Sequence, residues 1–382
     1  MNRKCFGTMY RNWKRKKSNI CSVIDGKVGD DACEAFCEKY KILYNKNPSN
    51  NINNINNEVN NLILSKCCVE GQDACKHMHV VTPQIVKSVL QKLKHNQYDD
   101  CCGIMSDCLI NGSDRLFVAL SFLYTIMIKH GYQTKLINTV KLVPIPKDKK
   151  KSLSNLENYR AIAPNNVLIK LFDYILLQKF EYVFETSSTQ FAYKAGFSPT
   201  LCSFMATETI QYYLDGGSSV YAVLLDCSKA FDVVRYDKLF ATLIERKLCP
   251  LVIRMILNLY CNALYCVKWN GVTSECFRIS NGVKQGGVSS PLLFTISLES
   301  LIDKIKNSKV GCYIGDKCAC IFVYADDIIL LCPMRSASQN LLDIRYDFAE
   351  KVGLHFNAGK CKYILFGLQY NSNLWSSGMK GG

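Results

Sequence analysis

In Ile321-Phe322-Val323-Tyr324-Ala325-Asp326-Asp327-Ile328-Ile329-Leu330-Leu331, two apolar runs flank a pair of adjacent carboxylates. Both runs are rich in β-branched and aromatic residues, so each reads as a buried strand and the pair between them as a hairpin turn. Placing two charges there costs several kcal/mol, roughly, unless a cation compensates. Asp is also an ordinary turn residue. A metal site therefore requires a third carboxylate at the end of another buried strand.

Asp226 meets that requirement, because Val220-Tyr221-Ala222-Val223-Leu224-Leu225 is a second β-type run that ends on it. Three oxygen ligands at strand ends suit Mg²⁺, a hard cation usually held by one or two carboxylates together with substrate phosphates. Two such ions can clamp the attacking and leaving oxygens of a phosphoryl displacement, which points to nucleotidyl transfer. Between the two carboxylate strands lies Asn281-Gly282-Val283-Lys284-Gln285-Gly286-Gly287-Val288-Ser289-Ser290-Pro291-Leu292-Leu293-Phe294. Its glycines let backbone approach a ligand closely, and Ser290-Pro291 opens a helix with Pro at a tolerated first position. Alone, such a loop is equally a plain turn.

Taken together, Asp226-Cys227-Ser228-Lys229-Ala230-Phe231-Asp232, Gly282 through Phe294, and Tyr324-Ala325-Asp326-Asp327 resemble blocks A, B and C of reverse transcriptases. The wording is closest to LINE-type, non-LTR retrotransposons, jockey-like elements in particular, and the resemblance covers roughly 141–366. It implies an α+β fold: a right-hand polymerase palm and fingers, with an antiparallel palm sheet backed by helices and fingers largely from 141–215. The thumb is expected to be truncated or absent and the N-terminal endonuclease missing. The implied activity is RNA-directed DNA polymerisation with two Mg²⁺ ions (Mn²⁺ as a substitute), an RNA template, a DNA primer and deoxynucleoside triphosphates. A catalytically decayed or domesticated RNA-binding relative is the alternative.

The resemblance also implies roles for individual residues. Asp226 and Asp326 become the metal ligands, with Asp327 assisting. Lys147 and Arg160 hold the triphosphate, as Lys gives a point charge and Arg a bidentate fork. Phe231 is the steric gate that leaves no room for a ribose 2′-hydroxyl, and Gln285 and Gly286 line the nucleotide pocket. Gly353-Leu354-His355-Phe356-Asn357-Ala358-Gly359-Lys360 is similar to block D, whose lysine protonates the departing pyrophosphate. Gln190-Phe191-Ala192-Tyr193-Lys194-Ala195-Gly196-Phe197 is similar to a template-contacting block, with Phe197 either stacking platform or core. The family usually carries proline and serine where this chain has Ala161 and Ala163.

Composition agrees with a nucleic-acid partner. The 382 residues are 48% hydrophobic, enough for a sizeable core, and the formal charge of +15 suits a polyanion. There is no signal peptide and no apolar run as long as a membrane span, so the expectation is an intracellular protein, nuclear or cytoplasmic, without a membrane partner. The 21 cysteines then read as reduced thiols. Cys68, Cys75, His77 and His79 lack the second paired spacing of a zinc site.

The expected division is a basic tail and asparagine-rich linker over 1–65, a helical N-terminal extension over 80–135, and a reverse transcriptase domain over 136–382. Asn45 to Asn61 carries too little apolar content to fold alone. Thr82-Pro83 caps one helix, and another follows Asp114 and closes at Gly131. Asn270-Gly271 marks a hairpin. Further helices are expected over 236–247, from Pro250, over 291–305, and over 337–352 up to Gly353.

Overall fold

A computed structural model of the chain describes residues 22–46, 51–66, 79–99, 103–133 and 135–367. Residues 1–20 and the potential ligands Cys68, Cys75 and His77 lie outside them. The first helices are α1 (Gly29–Leu43), α2 (Ile52–Lys66), α3 (Pro83–Leu90) and α4 (Asp114–His130). Thr82 accepts from the Ile85 amide to start α3, and Gly131, at φ 64°, ends α4 in the left-handed conformation. Strands β1 (Thr139–Pro146) and β2 (Tyr159–Ile162) follow, then helices α5 (Val167–Lys179) and α6 (Pro199–Asp215). Next come β3 (Val220–Ser228), α7 (Tyr236–Glu245), α8 (Pro250–Cys261), β4 (Leu264–Trp269) and β5 (Val272–Thr273). The last elements are α9 (Ser290–Asn307), β6 (Ile321–Tyr324), β7 (Asp327–Cys332), α10 (Arg335–Val352), β8 (His355–Phe356) and β9 (Lys362–Phe366).

Two sheets organise these elements. The larger runs β6-β7-β3-β8, with β9 also on β3, and every pairing is antiparallel. Side chains alternate across a strand, and β3 shows it: Val223, Leu225 and Cys227 enter the main core with residues of α7, α9 and α10. Val220 and Ala222 enter a second cluster, with Cys202 and Ala206 of α6. Both faces are therefore covered, in keeping with the nearly unbroken apolar runs of β3, β6 and β7.

The smaller sheet has the order β2-β1-β4-β5. Strand β4 lies parallel to β1 and turns into β5 through Asn270 and Gly271, at φ 48° and 91°. The expected hairpin is present, but it completes a sheet begun more than a hundred residues earlier. Helix α1 covers this sheet: the Phe36 ring lies 4.8 Å from Trp269 and 5.1 Å from Tyr159.

The linker expectation for Asn45–Asn61 is corrected over 52–61, because α2 occupies those residues. Ile55, Val59 and Ile63 form one stripe at four-residue spacing, all buried against α7 and α8. The asparagines occupy the outer face, so average composition hid an amphipathic helix. Val59→Ala is expected to lower unfolding stability by roughly 2 kcal/mol through lost apolar burial and a residual cavity. Asn57→Ala, on the exposed face, should change little; equal urea midpoints for the two variants would return the segment to a linker. Among the described residues no helix is long and apolar enough to cross a membrane.

Candidate active site

The β6–β7 turn places Ala325 and Asp326 between the paired residues Tyr324 and Asp327. Ala325 adopts φ 56°, a left-handed conformation that costs a residue with a Cβ about 1–2 kcal/mol. Gln190 holds it there. Its fully buried side chain accepts from the Ala325 amide at 3.1 Å and the Ala192 amide at 3.0 Å. The same segment edges β6 through Phe191 N to Val323 O (2.8 Å) and Val323 N to Thr189 O (2.9 Å). Gln190 opens the stretch that is similar to a template-contacting block, but no local pattern reveals that its side-chain amide supports a turn 135 residues away.

Strand register brings the carboxylates together: Asp327 of β7 stands directly opposite Asp226 of β3. Directly paired residues have Cβ atoms about 5 Å apart on one face. Asp326 follows in the adjoining turn. Burial raises the Asp326 pKa, and the charges of Asp327 and Asp226 raise it further, against its own backbone amide and Lys360. Burial and Asp226 raise Asp327 likewise, with Lys360 opposing. Lys360 sits 3.2 Å from both Asp226 oxygens. Its turn is pinned by Asn357 N donating to Asp226 O at 2.9 Å and Lys360 N donating to Asn357 O at 3.0 Å.

Among the described residues no three acidic, histidine or cysteine side chains already surround a common point. The donor set nonetheless fits a hard divalent cation: all three candidate donors are carboxylates, the Asp226 charge raises the pKa of both Asp326 and Asp327, and the Lys360 ammonium already lies against Asp226.

The glycine-rich loop is stapled beside this cluster by two buried carboxylates. Asp232 accepts from Gln285 Nε2 at 2.6 Å, and its carbonyl accepts from Asn281 Nδ2 at 2.6 Å. Gly282, at φ 95°, has no room for a Cβ, which would lie 2.7 Å from the Asp232 carbonyl oxygen. Gln285 O accepts from Ala163 N at 2.7 Å, joining the loop to the chain beyond β2. Exposed Gly286, at φ 107°, lies against Ile162. From α5, Asp173 accepts from Ser289 Oγ at 2.9 Å, from the Val288 and Ser289 amides, and from Asn165 Nδ2. Lys284 is buried nearby with its ammonium 5.3 Å from the Tyr260 ring; burial lowers it to about 8 against the pull of Asp173.

Burial pushes Asp232 up to about 6, against hydrogen bonds from Tyr44 and Gln285 and the charges of Lys229 and Lys147. A raised folded-state pKa favours the protonated fold. The stability from this group is therefore present below the unfolded value near 3.9 and lost as pH rises through about 6. Asp232→Asn keeps an acceptor for Gln285 and removes the buried charge. The variant should be more stable than the parent at about pH 7.5, by up to about 3 kcal/mol, with the gap closing near pH 4. Urea unfolding at both pH values checks this; a gap independent of pH would refute it.

Phe231 is half-buried, with its ring stacked on Phe294 at 4.6 Å and 21°. Lys147 and Arg160 are exposed on the neighbouring sheet. Lys147 donates to Glu157 O at 2.9 Å, and its pKa is lowered by partial desolvation of its ammonium, then by the charges of Lys229 and Arg160. These cations thus share one region with Asp232 and Gln285. Lys229, three residues after Asp226, adds its charge to the same region, and nothing in the local sequence singles it out. Phe197 is 40% exposed, with Lys194 Nζ 5.5 Å from its ring, so it lies at the surface rather than in the core.

A family model described as reverse transcriptase (RNA-dependent DNA polymerase) matches residues 145–380. The chain belongs to the reverse transcriptase family. It is 30% identical over 209 residues to the retrovirus-related Pol polyprotein from type-2 retrotransposable element R2DM of Drosophila melanogaster, covering 54% of this chain and 19% of that one. It is 26% identical over 302 residues to the RNA-directed DNA polymerase from mobile element jockey of Drosophila funebris, covering 75% and 32%. The chain thus spans less than a third of the length of either relative. A solved structure of telomerase from Candida albicans, in complex with a fragment of telomeric RNA, matches with a TM-score of 0.44 at 12% identity, over 59% of this chain and 41% of that one.

Proposed function

We propose that this chain is the fingers-and-palm portion, over 136–382, of a non-LTR retrotransposon polymerase that extends a DNA primer on an RNA template. Residues 80–135 form its helical N-terminal extension. The observation that supports this most is the pairing of Asp327 with Asp226 in one ladder, with Asp326 in the adjoining turn. Mg²⁺, or Mn²⁺ in its place, held by Asp226 and Asp326 with Asp327 assisting, supplies activation of the primer 3′-hydroxyl and neutralisation of phosphate charge when bound.

The chain's own residues bind and orient the nucleotide. Lys147 and Arg160 grip the triphosphate, and Lys229 adds charge beside them. Gln285, fixed by Asp232, and Gly286, which lacks a side chain, shape the nucleotide pocket. Phe231 closes the space beside C2′ of the sugar. Lys360, in reach of the carboxylates, gives a proton to the departing pyrophosphate.

Primer extension on an RNA template with Mg²⁺ and deoxynucleotides tests the reading, with a ladder of DNA products as the expected result. RNA binding without any extension would favour the decayed alternative. RNA affinity should also fall steeply with salt. For about six neutralised phosphates of a single strand, log K falls with a slope of about −4 against log salt; a flat titration would remove the phosphate-binding role from the basic surface.

A further inference from the structure

We propose that Cys318 and Cys320 form a redox-reactive dithiol that closes to an intramolecular disulfide by exchange with a small disulfide such as oxidised glutathione. Their Sγ atoms lie 2.7 Å apart. A disulfide bond is about 2.05 Å long, so closure needs only a small approach. The pair lies where the ribbon of Tyr313–Ile314 and Lys317–Cys318 runs into β6. Cys318 is partly exposed and Cys320 fully buried, so an external disulfide reaches Cys318 first. The Cys320 thiol, donating to Cys318, lowers the Cys318 pKa against burial, helped by the Cys320 amide and the Lys306 charge. That is the environment of an attacking thiolate. The neighbouring Cys312 and Cys332 are buried, each pushed up to about 12 chiefly by that burial, and stay thiols.

The exchange balances in two steps. The Cys318 thiolate attacks one sulfur of the external disulfide, forming a mixed disulfide and releasing one thiolate. Cys320 loses its proton and attacks Cys318 Sγ, forming the intramolecular bond and expelling the second thiolate. Two electrons pass from the cysteines to the external disulfide, and their two protons end on the two released thiols. Closure acts on the sheet directly, because Leu331 N of β7 donates to Cys320 O at 2.9 Å.

The test reads chemistry rather than polymerase activity, so it stands apart from the function proposed above. The full chain is equilibrated in glutathione buffers of rising oxidised fraction, alkylated, digested with trypsin and sequenced by mass spectrometry. The expected product is a 318–335 peptide alkylated only at Cys332 and two hydrogens lighter than the corresponding dithiol, with fragments placing the bond between Cys318 and Cys320 and dithiothreitol restoring both thiols. Cys320→Ser should instead retain glutathione on Cys318. Should that variant not fold, the parent chain gives a second measurement: Cys318 should alkylate about tenfold faster at neutral pH than the exposed Cys108. A bond to Cys312 or Cys332, stable glutathione on Cys318 of the parent chain, or alkylation no faster than Cys108 would each overturn the proposal.

Discussion

Asp326→Asn is expected to abolish primer extension, lowering incorporation at least about a thousandfold, or about 4 kcal/mol of transition-state stabilisation. The side chains are nearly isosteric, so what changes is one negative charge in a turn that already holds another. Stability should move the other way. Burial and the charges of Asp327 and Asp226 raise the Asp326 pKa, so the stability this group contributes is greatest in acid and is lost as pH rises through its raised value. Removing the charge relieves that loss at neutral pH, and the melting temperature should hold or rise. Millimolar Mg²⁺ should raise the melting temperature of the parent chain by linkage and leave the variant nearly unmoved. Loss of activity together with unimpaired stability would separate catalysis from misfolding. Equal extension by parent and variant would end the assignment of Asp326 as a ligand.

The carboxylate cluster was legible because its parts are local. Each aspartate follows or opens an apolar run, and the alternation of β3 and β7 needs only the correct register to bring Asp226 and Asp327 to one face. The caps at Thr82 and Gly131 and the Asn270-Gly271 turn were legible for the same reason. What stayed hidden depends on distant partners. Helix α1 buries Phe36 and Tyr40 against a sheet whose β4 strand lies more than two hundred residues later, and nothing nearby announces that partner. The α2 stripe of Ile55, Val59 and Ile63 is diluted by asparagines. Asp232 and Asp173 look like any acidic residue until Gln285 and Ser289, 53 and 116 positions away, are seen donating to them.

Phe231→Ala should admit ribonucleotides, with the ratio of deoxy- to ribonucleotide kcat/KM falling about a hundredfold, or about 3 kcal/mol. The ring has little room to retreat. Phe294 behind it is fully buried, and the Phe231 carbonyl is held by Val283 N at 2.8 Å. The residue is nonetheless partly exposed. A 2′-hydroxyl arriving at that surface must displace a fixed aromatic group, and a site that rejects by steric overlap loses the rejection when the obstacle is cut back. Truncation also removes apolar contact with Phe294, so a drop in melting temperature is expected under either role of the ring. The ratio distinguishes the roles. A ring that only packs would, when lost, slow both sugars alike and leave their ratio unchanged. A ring that excludes the hydroxyl would, when lost, raise ribonucleotide incorporation while deoxynucleotide incorporation holds or declines.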